Sequence, residues 1–334
     1  MISDARVLQP EFIPNEVVHR NGEIGAISAA LRPITRGEQA ETTILHGPTG
    51  VGKTCLAKYS TQQLREEVLD INTQHVNCWE DPTRFRTLHR ILDGISQTTD
   101  IHRSSTPKDE LLERIRDYDG PQYVVILDEV DQLEDKDLLY DLYRVSNLSL
   151  ILIANDDEEV FANLDDRVYS RFLTATRIKF DRYSLDELTA ILSARVEYGL
   201  RDGVIDPEGI RHIAEAARGD ARVAIGALRT AARNAQQEGR TTIPMDIIEG
   251  AVPEAKSEVK QKTVDKLTTD QQVLYEIITE QGEISPSELY DEYDTRVEQP
   301  KTRRMLRNYL SKLEHYKLIV SSGNTRGRTY STYS

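Results

Sequence analysis

The first 180 residues alternate between two hydrophobic patterns. The short apolar runs TTILHG, QHVNC, YVVILDEV and LSLILIAN are typical of strands, and stretches with helical periodicity separate them. Strands that alternate with helices indicate a parallel sheet with helices packed on its faces. We therefore predict an α/β domain with a parallel sheet over residues 1–180.

Helical patterning alone continues from residue 181. Ser184 and Glu187 have the spacing of a capping box ahead of an apolar face, and Asp220 is placed to cap a later helix. These signals predict a helical domain over residues 181–255. Residues 256–266 are polar and carry no apolar periodicity, so we place a linker there.

The last block, residues 267–334, has the outline of three helices followed by a hairpin. Ser285 and Glu288 form another capping box, with Pro286 at the first helical position. The runs KLIVSS and RTYSTY then flank the turn GNTRG. This order predicts a winged-helix domain, which is a variant of the helix-turn-helix.

Acidic residues outnumber basic ones. The 334 residues include 56 acids against 42 lysines and arginines, only twelve of them lysine, for a formal charge of −14. The length predicts two or three domains. Because excess surface carboxylate keeps a protein soluble in concentrated salt, we expect adaptation to a salty cytoplasm; an ordinary acidic protein is the alternative.

Targeting signals and cysteine clusters are not evident. Cys55 and Cys78 stand apart, without the spacing of a disulfide framework or a zinc site. The N-terminus lacks the apolar core of a signal peptide, and no uncharged apolar run is long enough to span a membrane. We expect a soluble, intracellular protein without a membrane partner.

The motif GPTGVGKT follows the first predicted strand and opens a helix. It fits G-x-x-x-x-G-K-[ST], whose glycines let backbone N–H groups surround phosphates. Lys53 would reach the β- and γ-phosphates, and the Thr54 hydroxyl would ligate Mg²⁺. The predicted nucleotide contacts are Gly47, Pro48, Thr49, Gly50, Val51, Gly52, Lys53, Thr54 and Cys55.

Two later strands end in polar residues at the same predicted edge of the sheet. VVILDEVD delivers Asp128, suited to the Mg²⁺ shell, and Glu129, suited to activating a water. LSLILIA delivers Asn155, whose amide can bond a γ-phosphate or that water. The alternatives are a capping pair for the acids and a turn cap for the amide.

Three arginines follow in positions that suit phosphoryl transfer. Arg167 and Arg171 lie in DDRVYSRF, and Arg222 lies in the first turn of the helix after Asp220. Arginine can stabilise the charge that develops on a transferred phosphoryl group, although exposed arginines are also common without a function.

Together these motifs resemble those of an AAA+ ATPase: Walker A, Walker B, sensor 1, an arginine-finger region and sensor 2, in that order. The segments FIPNEVVHRNGEIGAISAAL, LDEVDQL, LIAND, RVYSRF and GDARVAIGALR, with the winged helix, resemble archaeal replication initiators of the origin-recognition-complex (ORC/Cdc6) type. The resemblance covers nearly the whole chain. It implies an AAA+ P-loop NTPase domain, a helical lid, a winged helix, and ATP or ADP with Mg²⁺ as ligands.

The resemblance also implies residue roles. Asn155 would be the sensor-1 residue, Arg222 the sensor-2 arginine, and either Arg167 or Arg171 the arginine finger. Asp166 stands where the family often has proline, which leaves the choice of finger open.

Two further groups of residues match the family only in part. His19 and Arg20 match its adenine-side motif, while an ion pair between Arg20 and Glu23 is the alternative. A helix after the second strand touches DNA in the family. Its candidates here are Arg84, Arg86 and Arg90, and a solvated helix face is the alternative.

Basic residues are concentrated at the C-terminus. Residues 296–334 hold nine bases and two acids, whereas residues 267–295 hold eight acids and no base. On the third helix the leucines gather on one side and the arginines on the other, which predicts insertion into the major groove. The predicted DNA contacts are Arg303, Arg304 and Arg307 on this helix, and Arg326 and Arg328 on the hairpin; a solvated basic helix is the alternative.

The resulting hypothesis is an ATP-dependent replication initiator that binds double-stranded origin DNA and hydrolyses ATP slowly. Implied partners are other initiator subunits and the replicative helicase, in the cytoplasm at the nucleoid. The alternatives are a transcription or plasmid-maintenance regulator with the same domains, and a clamp-loader-like ATPase that remodels proteins.

Overall fold

A computed structural model describes residues 1–102, 106–156, 160, 166–323 and 327–333. The chain divides into two compact units, Met1–Ala255 and Lys256–Ser334. Across the described ranges, no helix combines the length and the apolar character needed to cross a bilayer.

The first unit is built on a five-stranded sheet in which every described strand pair is parallel. The strand order is β2-β3-β4-β1-β5. The strands are β1 (Thr43–His46), β2 (Ile71–Asn77), β3 (Gln122–Asp128), β4 (Leu148–Ala154) and β5 (Thr176–Lys179). The four predicted strands are confirmed. The fifth, TRIK, is short and buries only Ile178, so it lacks an apolar run that would mark it.

Helices cover both faces of this sheet. Val124 and Ile126 of β3 pack with α1 and α2, while Tyr123, Val125 and Leu127 pack with α3 to α6. This alternation follows from the two-residue period of a strand, and it explains why β3 and β4 are apolar throughout. The helices are α1 (Asn21–Leu31), α2 (Lys53–Glu67), α3 (Arg84–Asp93), α4 (Lys108–Arg116), α5 (Asp137–Tyr143) and α6 (Asp166–Phe172).

Four further helices follow β5. They are α7 (Leu185–Gly199), α8 (Pro207–Ala217), α9 (Ala221–Gln237) and α10 (Met245–Asp265). The predicted capping box at Ser184 and Glu187 is present, and Asp220 caps α9. We call α7 to α10 up to Ala255 the lid. The segment predicted as a linker, 256–266, is helical as far as Asp265, and its first residue begins the second unit.

The second unit contains three helices and a three-stranded antiparallel sheet of order β6-β8-β7. This is the predicted winged-helix arrangement, with the short strand β6 added. Its core contains Leu274, Leu289, Leu306 and Leu310, so the leucine face of the third helix is buried as expected. The elements are α11 (Thr269–Gln281), β6 (Glu283–Ile284), α12 (Pro286–Arg296), α13 (Arg303–His315), β7 (Ile319–Ser322) and β8 (Thr329–Thr332).

Candidate active site

The glycine-rich loop between β1 and α2 is shaped by its close neighbours. Gly50 has a φ of 80°, and a Cβ built there would lie 2.0 Å from Asp220 Oδ1. A Cβ on Gly47 would lie 2.1 Å from the carbonyl oxygen of Phe180. The loop therefore fits only without side chains at these positions. It leads into α2, whose N-terminal N–H groups favour a bound phosphate.

Lys53 lies buried in this loop, with its side chain turned toward oxygen atoms. Its Nζ donates to the carbonyls of Gly47 and Pro48, and to Asn155 Oδ1 at 3.2 Å. Burial lowers the pKa of Lys53 to about 8, although the nearby charge of Asp128 acts in the opposite direction. Among the described residues Lys53 has no carboxylate in ion-pair contact, so a phosphate group would supply the missing counter-charge.

Asp128, at the end of β3, is held from several directions. Thr54 Oγ1 donates to Asp128 Oδ2 at 2.8 Å, and His75 Nε2 lies 3.0 Å from the same oxygen. Burial raises the pKa of Asp128, but the bonds from His75 and Thr54 and the charge of Lys53 outweigh it, so the pKa is below its usual value. The carboxylate is therefore ionised, and together with the Thr54 hydroxyl it offers the oxygen ligands that Mg²⁺ prefers.

His75 was not predicted as a site residue. The strand QHVNC pairs with β3 so that Asn77 stands opposite Asp128, which places His75 two residues before that edge. A polar residue near the end of a strand beside the Walker B strand is the signal that could have identified it.

Glu129 follows Asp128 in a left-handed backbone conformation, with a φ of 53°. Its N–H donates to Asp128 Oδ1 at 3.0 Å. Few residues other than glycine adopt this conformation, so the surrounding structure holds it there. This left-handed conformation turns the chain at the end of β3. Glu129 lines the same cavity as Asp128.

Asn155 connects the end of β4 to the glycine-rich loop. Its Oδ1 accepts the bond from Lys53, and its carbonyl accepts one from the N–H of Gly47 at 3.2 Å. Most of the predicted nucleotide-site residues, though not Gly47 or Pro48, line one cavity of about 1010 Å³. This cavity brings together Lys53, Thr54, Asp128, Glu129, Asn155 and Arg222.

The lid touches the glycine-rich loop directly. The N–H of Ala221 donates to the carbonyl of Gly50 at 2.9 Å. Asp220 caps α9 by accepting from the N–H groups of Arg222 and Val223. The Arg222 side chain is 45 % exposed, lines the cavity and forms an ion pair with Asp220 at 3.6 Å, which a phosphate in the cavity could replace.

Of the two predicted arginines of α6, only Arg171 has a described side chain. Arg171 is exposed and lies outside the cavity lining. The side chain of Arg167 lies outside the described part of the structure. The choice between the two as an arginine finger stays a prediction.

His19 and Arg20 do not line this cavity, and their role on the adenine side stays a prediction. Arg20 instead forms the alternative ion pair, with its Nη1 2.6 Å from Glu23, and its guanidinium lies 4.2 Å from the Tyr183 ring centroid. Tyr183 does line the cavity, so Arg20 lies behind a residue of the cavity wall.

Two segments in which no base contact was predicted supply much of the apolar part of the cavity. One is residues 1–18, which we call the N-terminal strap, and the other is the inner face of α7. The apolar lining includes Val7, Phe12 and Val17 of the strap, Ile191 of α7, Tyr183 and Ile225. The prolines and apolar residues of FIPNEVV are the sequence feature that could have indicated an apolar wall here.

Comparisons with known proteins agree with this geometry. The family model of an AAA domain matches residues 35–159, and that of the Cdc6 AAA+ ATPase-type lid domain matches residues 189–253. ORC1-type DNA replication protein 1 of Halobacterium salinarum is 58% identical over 308 residues, which are 92% of this chain and all of that protein. The chain belongs to the archaeal Orc1/Cdc6-type replication initiators.

Two further relatives of this initiator extend the comparison. ORC1-type DNA replication protein 9 of Halobacterium salinarum is 48% identical over 331 residues, covering 99% of this chain and 94% of that protein. The solved structure of the Aeropyrum pernix ORC1 protein in complex with DNA is 26% identical, with a TM-score of 0.81. The match covers all of this chain and 94% of the Aeropyrum pernix chain.

All three of the initiator's candidate DNA contacts in the first unit form ion pairs within that unit. Arg84 is 16% exposed and pairs with Asp135 and Asp141. Arg86 and Arg90, which are about half exposed, both pair with the buried Asp81, at 2.8 and 2.9 Å. Arg84 thus ties α3 to the segment around α5, whereas Arg86 and Arg90 keep an accessible side.

In the winged helix, the predicted arginines fall into two groups. Arg303 Nη2 lies 2.8 Å from Asp294 Oδ2, and Arg328 lies 3.3 Å from Glu314. Arg304 and Arg307 are exposed and make no ion pair within the described part of this unit. Arg326 lies outside the described residues. The expected bare arginine face of α13 therefore consists of Arg304 and Arg307, and Arg303 is bound to α12.

Proposed function

We propose that this initiator binds double-stranded origin DNA through its winged helix, with ATP binding and slow ATP hydrolysis as the switch. The observation that carries the proposal is the single cavity in which the glycine-rich loop, the strand ends and the lid meet. A ligand that contacts all three can set the position of the lid. A switch of this kind needs only different affinities for its two states.

The residues of the cavity divide the work of hydrolysis. Lys53 and the loop N–H groups hold the phosphates, and Arg222 approaches them from the lid. Thr54 and Asp128 would hold Mg²⁺, which neutralises phosphate charge when it is bound. Glu129 accepts a proton from the attacking water, and Asn155 orients that water.

The winged helix supplies the DNA contacts. Arg304 and Arg307 lie free on α13, the helix that enters the major groove in helix-turn-helix variants. The similar Aeropyrum pernix ORC1 protein was solved in complex with DNA, which supports this assignment. We further propose that other initiator subunits and the replicative helicase are partners, and that the protein acts at the nucleoid in the cytoplasm.

Footprinting on genomic DNA, with ATP and then with ADP, tests the proposal. We expect protection at a replication origin that changes in extent or affinity between the two nucleotides. Protection at promoters alone would instead identify a transcription regulator. Binding without sequence preference in both nucleotide states would overturn the proposed function.

A further inference from the structure

Arg195 is a buried cation on the inner face of α7. Its side chain is 7% exposed, and among the described residues it has no carboxylate in ion-pair contact. Arginines this deeply buried are normally paired with an acid. Burial accordingly lowers the pKa of Arg195. A cation kept at this cost in the wall of a ligand cavity calls for a role that its contacts can identify.

Its hydrogen bonds all go to the N-terminal strap. Nη1 donates to the carbonyl of Val7 at 2.7 Å, and Nη2 donates to the carbonyl of Phe12 at 3.0 Å. The guanidinium also lies 5.1 Å from the centroid of the Phe12 ring. Arg195 therefore holds two points of the strap, five residues apart, against one helix of the lid.

Backbone contacts fix the beginning of the strap to the end of the same helix. Ile2 forms a bridge with Leu200, and the N–H of Ser3 donates to the carbonyl of Gly199 at 2.9 Å. Leu8 is buried against Gly199, where an added Cβ would lie 2.9 Å from its side chain. The strap is thus attached to the lid along much of its length.

The strap and the lid line the part of the cavity that the phosphate-binding groups do not line. The polar groups at or beside the glycine-rich loop are Lys53, Thr54 and Asp128. The apolar groups are Phe12 and Val17 of the strap and Ile191 of α7. A nucleotide presents charged phosphates at one end and, at the other, a flat aromatic base whose faces stack on apolar side chains. The apolar wall is the chemical match for the base.

We propose that Arg195 is a positioning residue for the nucleotide base, because it holds the strap that forms one wall of the base pocket. This inference rests on the proposed nucleotide site. Without Arg195, the carbonyls of Val7 and Phe12 lose charged donors in a buried place, and the strap separates from α7. The phosphate-binding groups make no use of these bonds, so they are left unchanged.

Calorimetric titration of wild type and of Arg195→Gln with ATP and with inorganic tripolyphosphate tests the proposal. For Arg195→Gln we expect ATP affinity to fall about tenfold or more, the equivalent of one lost charged hydrogen bond. Tripolyphosphate, which has no base, should bind as tightly as it does to wild type.

Two outcomes overturn the inference: unchanged ATP affinity, or an equal loss for tripolyphosphate. Lys53→Ala separates this failure from that of the nucleotide site, since it should lose both ligands. If wild type binds neither ligand, the site itself is wrong. If wild type binds both and Arg195→Gln behaves like wild type, only the role of Arg195 is wrong.

Two further variants keep the test independent of folding defects. Arg229→Ala is the matched control, because Arg229 donates to Gln9 of the strap from an exposed position, 2.8 Å away. It should bind ATP within about twofold of wild type. Gly199→Ala displaces Leu8 and so loosens the strap while Arg195 is intact. It should reproduce the selective loss of ATP over tripolyphosphate, and a failure to do so contradicts the role of the strap.

Discussion

Replacing Gly50 by alanine tests the contact between the glycine-rich loop and the lid. The added Cβ would lie 2.0 Å from Asp220 Oδ1. That oxygen also accepts hydrogen bonds from the N–H groups of Arg222 and Val223, at 2.9 and 3.3 Å. The methyl group therefore forces the Asp220 carboxylate away from the N-terminus of α9.

Two costs add in this variant. A residue other than glycine in the left-handed region costs about 1–2 kcal/mol, and loss of an N-cap costs about 1 kcal/mol. We expect Gly50→Ala to lower the free energy of unfolding of the first unit by about 2–3 kcal/mol. Because the N–H of Ala221 donates to the Gly50 carbonyl, the same shift moves Arg222 away from the phosphates. ATP affinity should then fall about tenfold or more.

Urea unfolding and calorimetric ATP titration measure the two effects. Gly203→Ala is the matched control, because Gly203 has a similar φ of 71° but nothing within 4 Å of an added Cβ. It should show the backbone cost alone and no loss of ATP affinity. In an Asp220→Ala background, Gly50→Ala should also show only the backbone cost, so the two changes are less than additive. The reasoning is refuted if Gly50→Ala costs no more than Gly203→Ala and binds ATP normally.

Three other predictions concern single residues. The pKa of Lys53 is about 8. Phosphate binding near this pH should raise that pKa and take up roughly half a proton per ATP, so ATP affinity should decrease at higher pH. Titration in buffers of different ionisation enthalpy measures the proton uptake, and an uptake of zero contradicts the prediction. Glu129→Gln should bind ATP as wild type does but stop turnover, because an amide cannot accept the proton of water; turnover near the wild-type rate would give Glu129 a structural role only. Arg307→Ala should cost about 1–3 kcal/mol of base discrimination. Arg303→Ala should cost less, because Arg303 must first leave Asp294. Titration of both variants with specific and scrambled duplexes measures these losses, and equal losses would contradict the distinction.

Features encoded by neighbouring residues could be predicted from the sequence. The capping boxes at Ser184 and Ser285 begin helices where they were expected, and the glycine-rich loop lies between a strand and a helix. Each of these signals is contained within a few residues. The helix through Pro253 is an instructive exception. Its buried residues Ala251, Val252 and Ala255 continue the helix into the polar stretch that we predicted as a linker.

Contacts between distant segments could not be predicted in the same way. Arg84 bonds acids 51 and 57 residues away, and Arg195 bonds carbonyls 188 and 183 residues away. Neither pairing leaves a spacing pattern along the chain. His75 is an intermediate case, because its place beside Asp128 follows from the register between β2 and β3. The apolar wall of the cavity is therefore visible only in the structure.

The ion pairs of the winged helix bear on how the protein would tell one DNA sequence from another. Arg303 and Arg328 are already paired with Asp294 and Glu314, so turning fully toward a phosphate or a base is offset by a broken pair. In concentrated salt both the surface pair and the phosphate attraction are screened, and counterion release contributes less to affinity. Arg304 and Arg307 need no such exchange, and hydrogen bonds to base edges depend less on salt than phosphate contacts do. If this acidic protein works in a salty cytoplasm, we expect these two arginines to account for most of its sequence discrimination.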